Sequence, residues 1–169
     1  MPSRLAYRTR QFWNALPGTR KPVETSALLP HLSPTQITLF RRMQRSEQTH
    51  ALHVLNLLKA AGQTDPDLLS TALLHDVGKV LFPLSLFDRV LIVLGKVFFP
   101  RQTRRWSEGT PEKYRRPFVV AARHPEWGAD LAGQAGASPR TVELIRHHQD
   151  PPSADDQQLA ALQAADDEK

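Results

Sequence analysis

TALLHDVGKV, residues 71–80, decides how this chain folds. Its apolar residues, Leu73, Leu74, Val77 and Val80, recur at three- and four-residue steps, the period of an amphipathic helix. The same stretch carries His75, Asp76, Gly78 and Lys79. Adjacent helical residues point about 100° apart, so His75 and Asp76 cannot both pack into one apolar core as ordinary side chains. An imidazole and a carboxylate buried without a partner are costly. A cation held between helices would supply that partner, and such ligands suit zinc, iron, manganese or nickel.

Working outward, the helix starts at Asp65, an N-cap with Pro66 at the first helical position, and Gly78 marks its end or a bend. Upstream, LSPTQITLFRRMQRSEQTHALHVLNLLKAAG (32–62) opens with Ser33, Pro34 and Gln36, the pattern of a capping box. Ile37, Phe40, Leu52, Leu55 and Leu58 form its apolar face, the beat fails near Gln44–Ser46, and Gly62 ends it. Downstream, residues 84–99 have helical periodicity and precede a loop rich in Arg, Gly and Pro. RRPFVVAARHPEWGADLAGQAGAS (115–138) is expected to be helical in parts, interrupted at Pro125 and closed by Gly136. Ser138 and Pro139 cap RTVELIRHHQD (140–150). Ser153 is expected to cap the final helix, with Asp155 and Asp156 in its first turn. No hairpin signal and no repeat appears, so the expected class is all-α. Residues 1–30 read as a basic N-terminal arm and 31–169 as one domain carrying an apolar and basic insert at about 82–118.

The composition allows this. The chain has 169 residues, 40% hydrophobic and 23% charged, enough for one globular core. It has no cysteine, which excludes disulfides, thiolate metal sites and thiol nucleophiles. The net charge is +5. Basic residues gather in the arm (Arg4, Arg8, Arg10, Arg20, Lys21) and in the insert (Lys96, Arg101, Arg104, Arg105, Lys113, Arg115, Arg116). Such zones suit solvation, anionic lipid or a phosphorylated substrate, and no specific nucleic-acid partner is expected. MPSRLAYRTRQFWNALPG lacks the apolar run of a secretory signal, and VLIVLGKVFFP (90–100) is too short to span a bilayer. The expectation is a cytoplasmic protein, with peripheral membrane contact through the insert or through the face of the arm bearing Phe12 and Leu16. For the insert, packing into the core or covering the site is preferred to lying on a membrane.

The histidines carry the chemistry. His50 lies on the long helix with His53 one turn on, His124 precedes Pro125, His147 and His148 are adjacent, and Asp166 ends the chain's last apolar helix. His50, the His75–Asp76 pair within HDVGK, and Asp166 resemble in order the ligand pattern of the HD superfamily of metal-dependent phosphohydrolases. HPEWG (124–128) and the His147–His148 pair are similar to the second-metal elements of its HD-GYP subgroup. The resemblance covers about residues 46–167. It implies an HD-domain helical bundle with a metal site between helices. It also implies one or two divalent ions (Mn, Fe, Ni, Zn or Mg) and hydrolysis of a nucleotide or related phosphate ester through a metal-activated water. Carried over by residue, it places His50, His75, Asp76 and Asp166 around the first metal. His124, His147 and His148 hold the second, Asp76 bridges, and Asp76 with Lys79 is catalytic. Lys79, Arg123 and Arg146 are the expected contacts to substrate phosphate.

The pattern also departs from its relatives. QDPPSADD (149–156) follows His148 where a Gly-Tyr-Pro signature would stand, so cyclic di-GMP hydrolysis is not expected. Ser46 occupies the place where some relatives carry a glutamate for a third metal, and Glu47 is one residue away, so at most two metals are expected. Asp167 competes with Asp166, and adjacent His147 and His148 diverge enough that one alone could bind. His53 is expected to line the pocket or face solvent, and His31 to be structural. Lys79, Arg123 and Arg146 also suit a solvated helix face, and Glu143 could orient His147. Two other functions use the same ligands: a di-iron oxygenase of the HD fold and a non-catalytic signalling module stapled by metal.

Overall fold

The computed structural model describes residues 25–151 and 155–168. The arm through Glu24, with Phe12 and Leu16, and Ser153 lie outside the described residues. All regular structure among the described residues is helical: α1 (Thr25–Leu28), α2 (Pro34–Arg41), α3 (Arg45–Ala60) and α4 (Pro66–Leu74) precede a 3-10 turn (Val77–Val80). Then come α5 (Leu86–Phe98), α6 (Pro100–Trp106), a second 3-10 turn (Lys113–Arg115), α7 (Arg116–Gln134), α8 (Pro139–His147) and α9 (Gln157–Asp167). The chain is an all-α helical bundle.

Local signals set many of these ends. The Ser33 hydroxyl accepts from the Gln36 amide while the Gln36 side chain accepts from the Ser33 amide, the reciprocal bonds of a capping box. Asp65 accepts from the amides of Asp67 and Leu68, and Ser138 from that of Thr141. The break between α2 and α3 falls where the apolar beat fails, and Gly62, at φ 79°, takes the left-handed turn that closes α3.

Three local expectations are corrected. Helix α4 stops at Leu74, so His75 is its C-cap and Asp76 (φ −93°, ψ 2°) leads into the 3-10 turn instead of continuing an α-helix. Pro125 does not interrupt α7, which runs through it from Arg116 to Gln134. A proline deletes one amide donor; Pro125 is buried in a helix whose backbone at His124 and Gly128 presses on the 3-10 turn, and that packing outweighs the loss. The N-cap of α9 is Asp156, which accepts from the Leu159 amide, so Asp156 precedes the first turn.

The core joins Leu28, Phe40, Val54, Leu58, Leu73, Leu74, Val77, Ala129, Ile145 and Leu162, drawn from every helix except α5 and α6. Helix α7 packs against the 3-10 turn and against α8, α4 packs between α3 and α8, and α9 lies against α3. Gly78 makes the tightest junction. A Cβ there would meet the His124 carbonyl oxygen at 2.0 Å and the Gly128 nitrogen at 2.7 Å. Only glycine lets the turn approach the α7 backbone so closely, and that approach carries Asp76 to His124.

Candidate metal centre

The candidate site side chains come from six different elements. His50 projects from the middle of α3, His75 from the cap of α4, and Asp76 and Lys79 from the 3-10 turn. His124 comes from α7, His148 from the cap of α8 and Asp166 from the last turn of α9. Four imidazoles form a chain of edge-to-face rings: His50 to His75 at 5.3 Å, His75 to His148 at 5.2 Å, His148 to His124 at 5.2 Å between centroids. Two clusters of ligand atoms result, His50–His75–Asp166 and Asp76–His124–His148, each with its atoms within 4.8 Å of one another. The Asp76 carboxylate lies between them, with Oδ1 3.2 Å from His124 Nε2 and Oδ2 3.8 Å from His75 Nε2.

The protonation pattern follows from the backbone. His75 Nδ1–H donates to the Ala72 carbonyl at 3.0 Å, His124 Nδ1–H to Val120 at 3.1 Å and His148 Nδ1–H to Ile145 at 2.7 Å. A carbonyl only accepts, so all three rings carry a proton on Nδ1. Burial, then the charge of Lys79, lowers the His124 imidazole below its ordinary value. Burial, followed by His75 and His124, pushes His148 down to about 3. Both rings are therefore neutral, with an Nε2 lone pair turned inward.

Those lone pairs face acceptors. The Nε2 atoms of His75 and His148 are buried with no hydrogen-bond partner among the described residues. His124 Nε2 points at a carboxylate oxygen, and His75 Nε2 lies 3.6 Å from Asp166 Oδ1. Burial favours the neutral acid at Asp76, yet Lys79, then His75 and His124, outweighs it and holds the carboxyl well below the usual range. At Asp166 burial is likewise opposed, by the His50 hydrogen bond and by His75, and the carboxyl again ends below its ordinary value. Ionised carboxylates meeting imidazole lone pairs in a buried space repel unless a cation sits among them. The donor set is nitrogen and oxygen throughout, so these residues fit one or two divalent ions of the kind expected.

Around the centre, Lys79 Nζ lies 2.6 Å from Asp76 Oδ2, with its side chain mostly buried. His50 Nε2 lies 2.7 Å from Asp166 Oδ1, which distinguishes Asp166 from Asp167 as the carboxylate turned to the cluster. Gln149 places its amide nitrogen 3.4 Å from His124 Nε2.

Other expected residues are not brought together. His147 is half exposed and bonds through Nδ1 to Asp150 at 2.7 Å, away from both clusters. The roughly 100° between adjacent helical positions sends His148 inward and His147 out. Arg123 pairs with Glu126 and lies over the Trp127 ring, and Arg146 pairs with Asp130. Both arginines are held on the outer surface of the bundle, and neither touches Asp76 or Lys79. Glu143 bonds to Arg140 and does not reach the His147 ring. His53 faces solvent.

Glu47 is the residue that sequence reasoning set aside. It is 2% exposed and bonds through Oε1 to Arg89 of α5 at 2.9 Å. Burial raises its carboxyl, and the charges of Lys79 and Asp76 both act on it, which places it beside the centre. Its signal was available: three residues before His50 is the same helical face as four.

With this geometry in hand, comparison with known families is decisive: the HD domain family model matches residues 48–168. The chain belongs to the HD domain family. That superfamily is one of metal-dependent phosphohydrolases, and the match spans α3 to α9, every element that contributes to the two clusters. Searches of the curated proteins and of the solved structures found no match. Among the described residues no helix of this HD domain is long and apolar enough to cross a membrane.

Proposed function

We propose that this HD domain is a phosphohydrolase acting on a phosphate ester of a nucleotide or a related small phosphorylated molecule. The observation that carries the reading is the inward convergence of three tautomer-locked imidazoles on two ionised carboxylates, with a buried lysine at the Asp76 edge. His50, His75 and Asp166 would hold one divalent cation and Asp76, His124 and His148 a second, and such ions would supply Lewis acidity toward a water and the phosphoryl oxygens. The carbonyls of Ala72, Val120 and Ile145 orient the rings and hold Nδ1–H, which turns Nε2 inward as the ligand atom. Asp76 spans both clusters. Lys79, held beside it on the next turn, presents positive charge to the anion that develops in phosphoryl transfer. Burial of Asp76, His75 and His148 keeps bulk water from screening these charges.

The test is metal analysis of the purified protein followed by a phosphoester panel that includes nucleotides. Turnover should need bound metal and vanish in Asp76→Ala. Lys79→Ala should retain the metal while kcat falls at least about a hundredfold, as loss of one charge-stabilising group does. A metal-loaded protein silent across the panel refutes the proposal.

A further inference from the structure

Helix α5 leaves an apolar stripe on the outside. A surface helix normally turns its apolar stripe to the core and its charges to water. Here two of its three charged residues face the protein, Asp88 pairing with Arg116 of α7 and Arg89 with Glu47 of α3, while Lys96 is exposed. Phe87, Leu94, Val97 and Phe98 are instead exposed, at 69%, 45%, 44% and 65%. At about 100° per residue, Phe87, Leu94 and Phe98 fall within one narrow arc, flanked by the half-buried Val90 and Leu91.

The cause lies at Gly95, the one buried residue of α5. A Cβ there would come 2.5 Å from Phe118 Cε1 and 3.0 Å from Thr103 Oγ1, so the helix rests on α7 and α6 through its smallest residue. Phe87, Leu94, Val97 and Phe98 are left outside, and Leu86, Val90, Leu91, Ile92 and Val93 are half-buried. At its end, Phe99 (53% exposed) closes α5 and opens α6, which places two adjacent phenyl groups at a projecting corner. Arg101, Arg104 and Arg105 follow at once, all exposed, and none has an ion pair among the described residues. From Arg89 to Ser107 the chain contains no aspartate or glutamate.

We propose that the α5–α6 corner docks on an anionic lipid surface. Phe87, Leu94, Phe98 and Phe99 enter the boundary between headgroups and acyl chains, and Arg101, Arg104 and Arg105 meet the headgroup charge. Charge selects this occupant. A second copy docking about a two-fold axis would bring the same arginines face to face, and the segment from Arg89 to Ser107 has no acidic residue to receive them. A neutral apolar partner would leave them unused. The exposed phenyls beside unpaired cations match an interface whose inner part is hydrocarbon and whose rim is negative.

The experiment is co-sedimentation of the full chain with neutral phosphatidylcholine vesicles and with vesicles containing about a third phosphatidylserine, at low and high salt. Binding is expected to the anionic vesicles, weakening as salt rises. The pair Phe98→Ser and Phe99→Ser should reduce it at least tenfold, as should Arg101→Glu with Arg104→Glu and Arg105→Glu. Melting temperature should hold in both variants, since every altered side chain is exposed. Absence of binding to anionic vesicles overturns the proposal. So does binding that ignores the phenylalanine pair, or a dimer in sedimentation velocity that the same pair dissolves. Slow alkylation of Phe98→Cys without vesicles would show the face already covered by the chain itself, and also overturns it.

Discussion

Gly78 offers the sharpest test of how packing creates the centre. In Gly78→Ala the new Cβ would sit 2.0 Å from the His124 carbonyl oxygen, about 1.4 Å inside the 3.4 Å at which ordinary contact begins. The opposing atoms, His124 oxygen and carbon and Gly128 nitrogen, are all backbone of α7, so no side chain can rotate away. Relief requires the 3-10 turn and α7 to part by a distance of that order. The same separation lengthens the 3.2 Å approach of Asp76 to His124, two residues from the clash, beyond any shared ligand geometry. Overpacking costs about 1–3 kcal/mol where side chains can yield; with backbone on both sides, about 3 kcal/mol or more is expected. Urea unfolding in chelator measures that cost, and a calorimetric zinc or manganese titration measures the centre, where affinity should fall at least about a hundredfold. A graded pair keeps the test sound if Gly78→Ala fails to fold. In Gly128→Ala the contacts are milder, 3.1 Å to Gly78 nitrogen and 3.2 Å to Ile145 Cγ2, so a smaller loss of the same kind is expected. In Gly133→Ala the nearest atom is Val142 Cγ2 at 3.6 Å, and the variant should be neutral or gain about 0.5–1 kcal/mol of helix stability. Normal stability and metal affinity in Gly78→Ala, or equal effects at all three glycines, would refute the claim that this junction sets the ligand geometry.

Three further outcomes follow from the site. His148→Ala should lower metal stoichiometry or affinity, measured by elemental analysis, whereas His147→Ala should leave both unchanged, because its ring is turned to Asp150. Arg89→Ala strips the buried Glu47 carboxylate of its partner and should destabilise the fold by about 2–4 kcal/mol in urea unfolding; adding Glu47→Gln should recover part of this. In chelator, stability should fall as pH drops from 6.5 toward about 3, because His148 stays neutral in the folded state over that window while the unfolded chain takes up the proton. Thermal melts across the range check the sign, and His148→Gln should flatten the slope.

Much of the fold was legible because its signals are local. Ser33, Asp65 and Ser138 cap helices through atoms two or three residues away, and Gly62 turns the chain where a left-handed residue is needed. The break in apolar rhythm before α3 marks a real helix end. Pro125 misled because proline's helix-breaking effect is also local, while the close packing of α7 on the 3-10 turn is not. Glu47 was discounted by counting residues, although the helical face was the relevant measure. Arg123 and Arg146 had the right charge in the right segments, but their partners, Glu126 and Asp130, lie on the outside of α7.

By itself, the sequence determined the residue types available to the centre, their order along the chain and the helices that carry them. Those properties depend on backbone period and on caps within a turn. Tertiary structure alone decided which of His147 and His148 faces inward, that the Asp76 carboxylate lies between two clusters, and that α5 shows an apolar stripe to solvent. Each of these depends on where a neighbouring backbone stands to within an ångström or so, at Gly78 against α7 and at Gly95 against Phe118. Periodicity records which face is apolar, but the void or contact awaiting that face is made by residues distant in sequence.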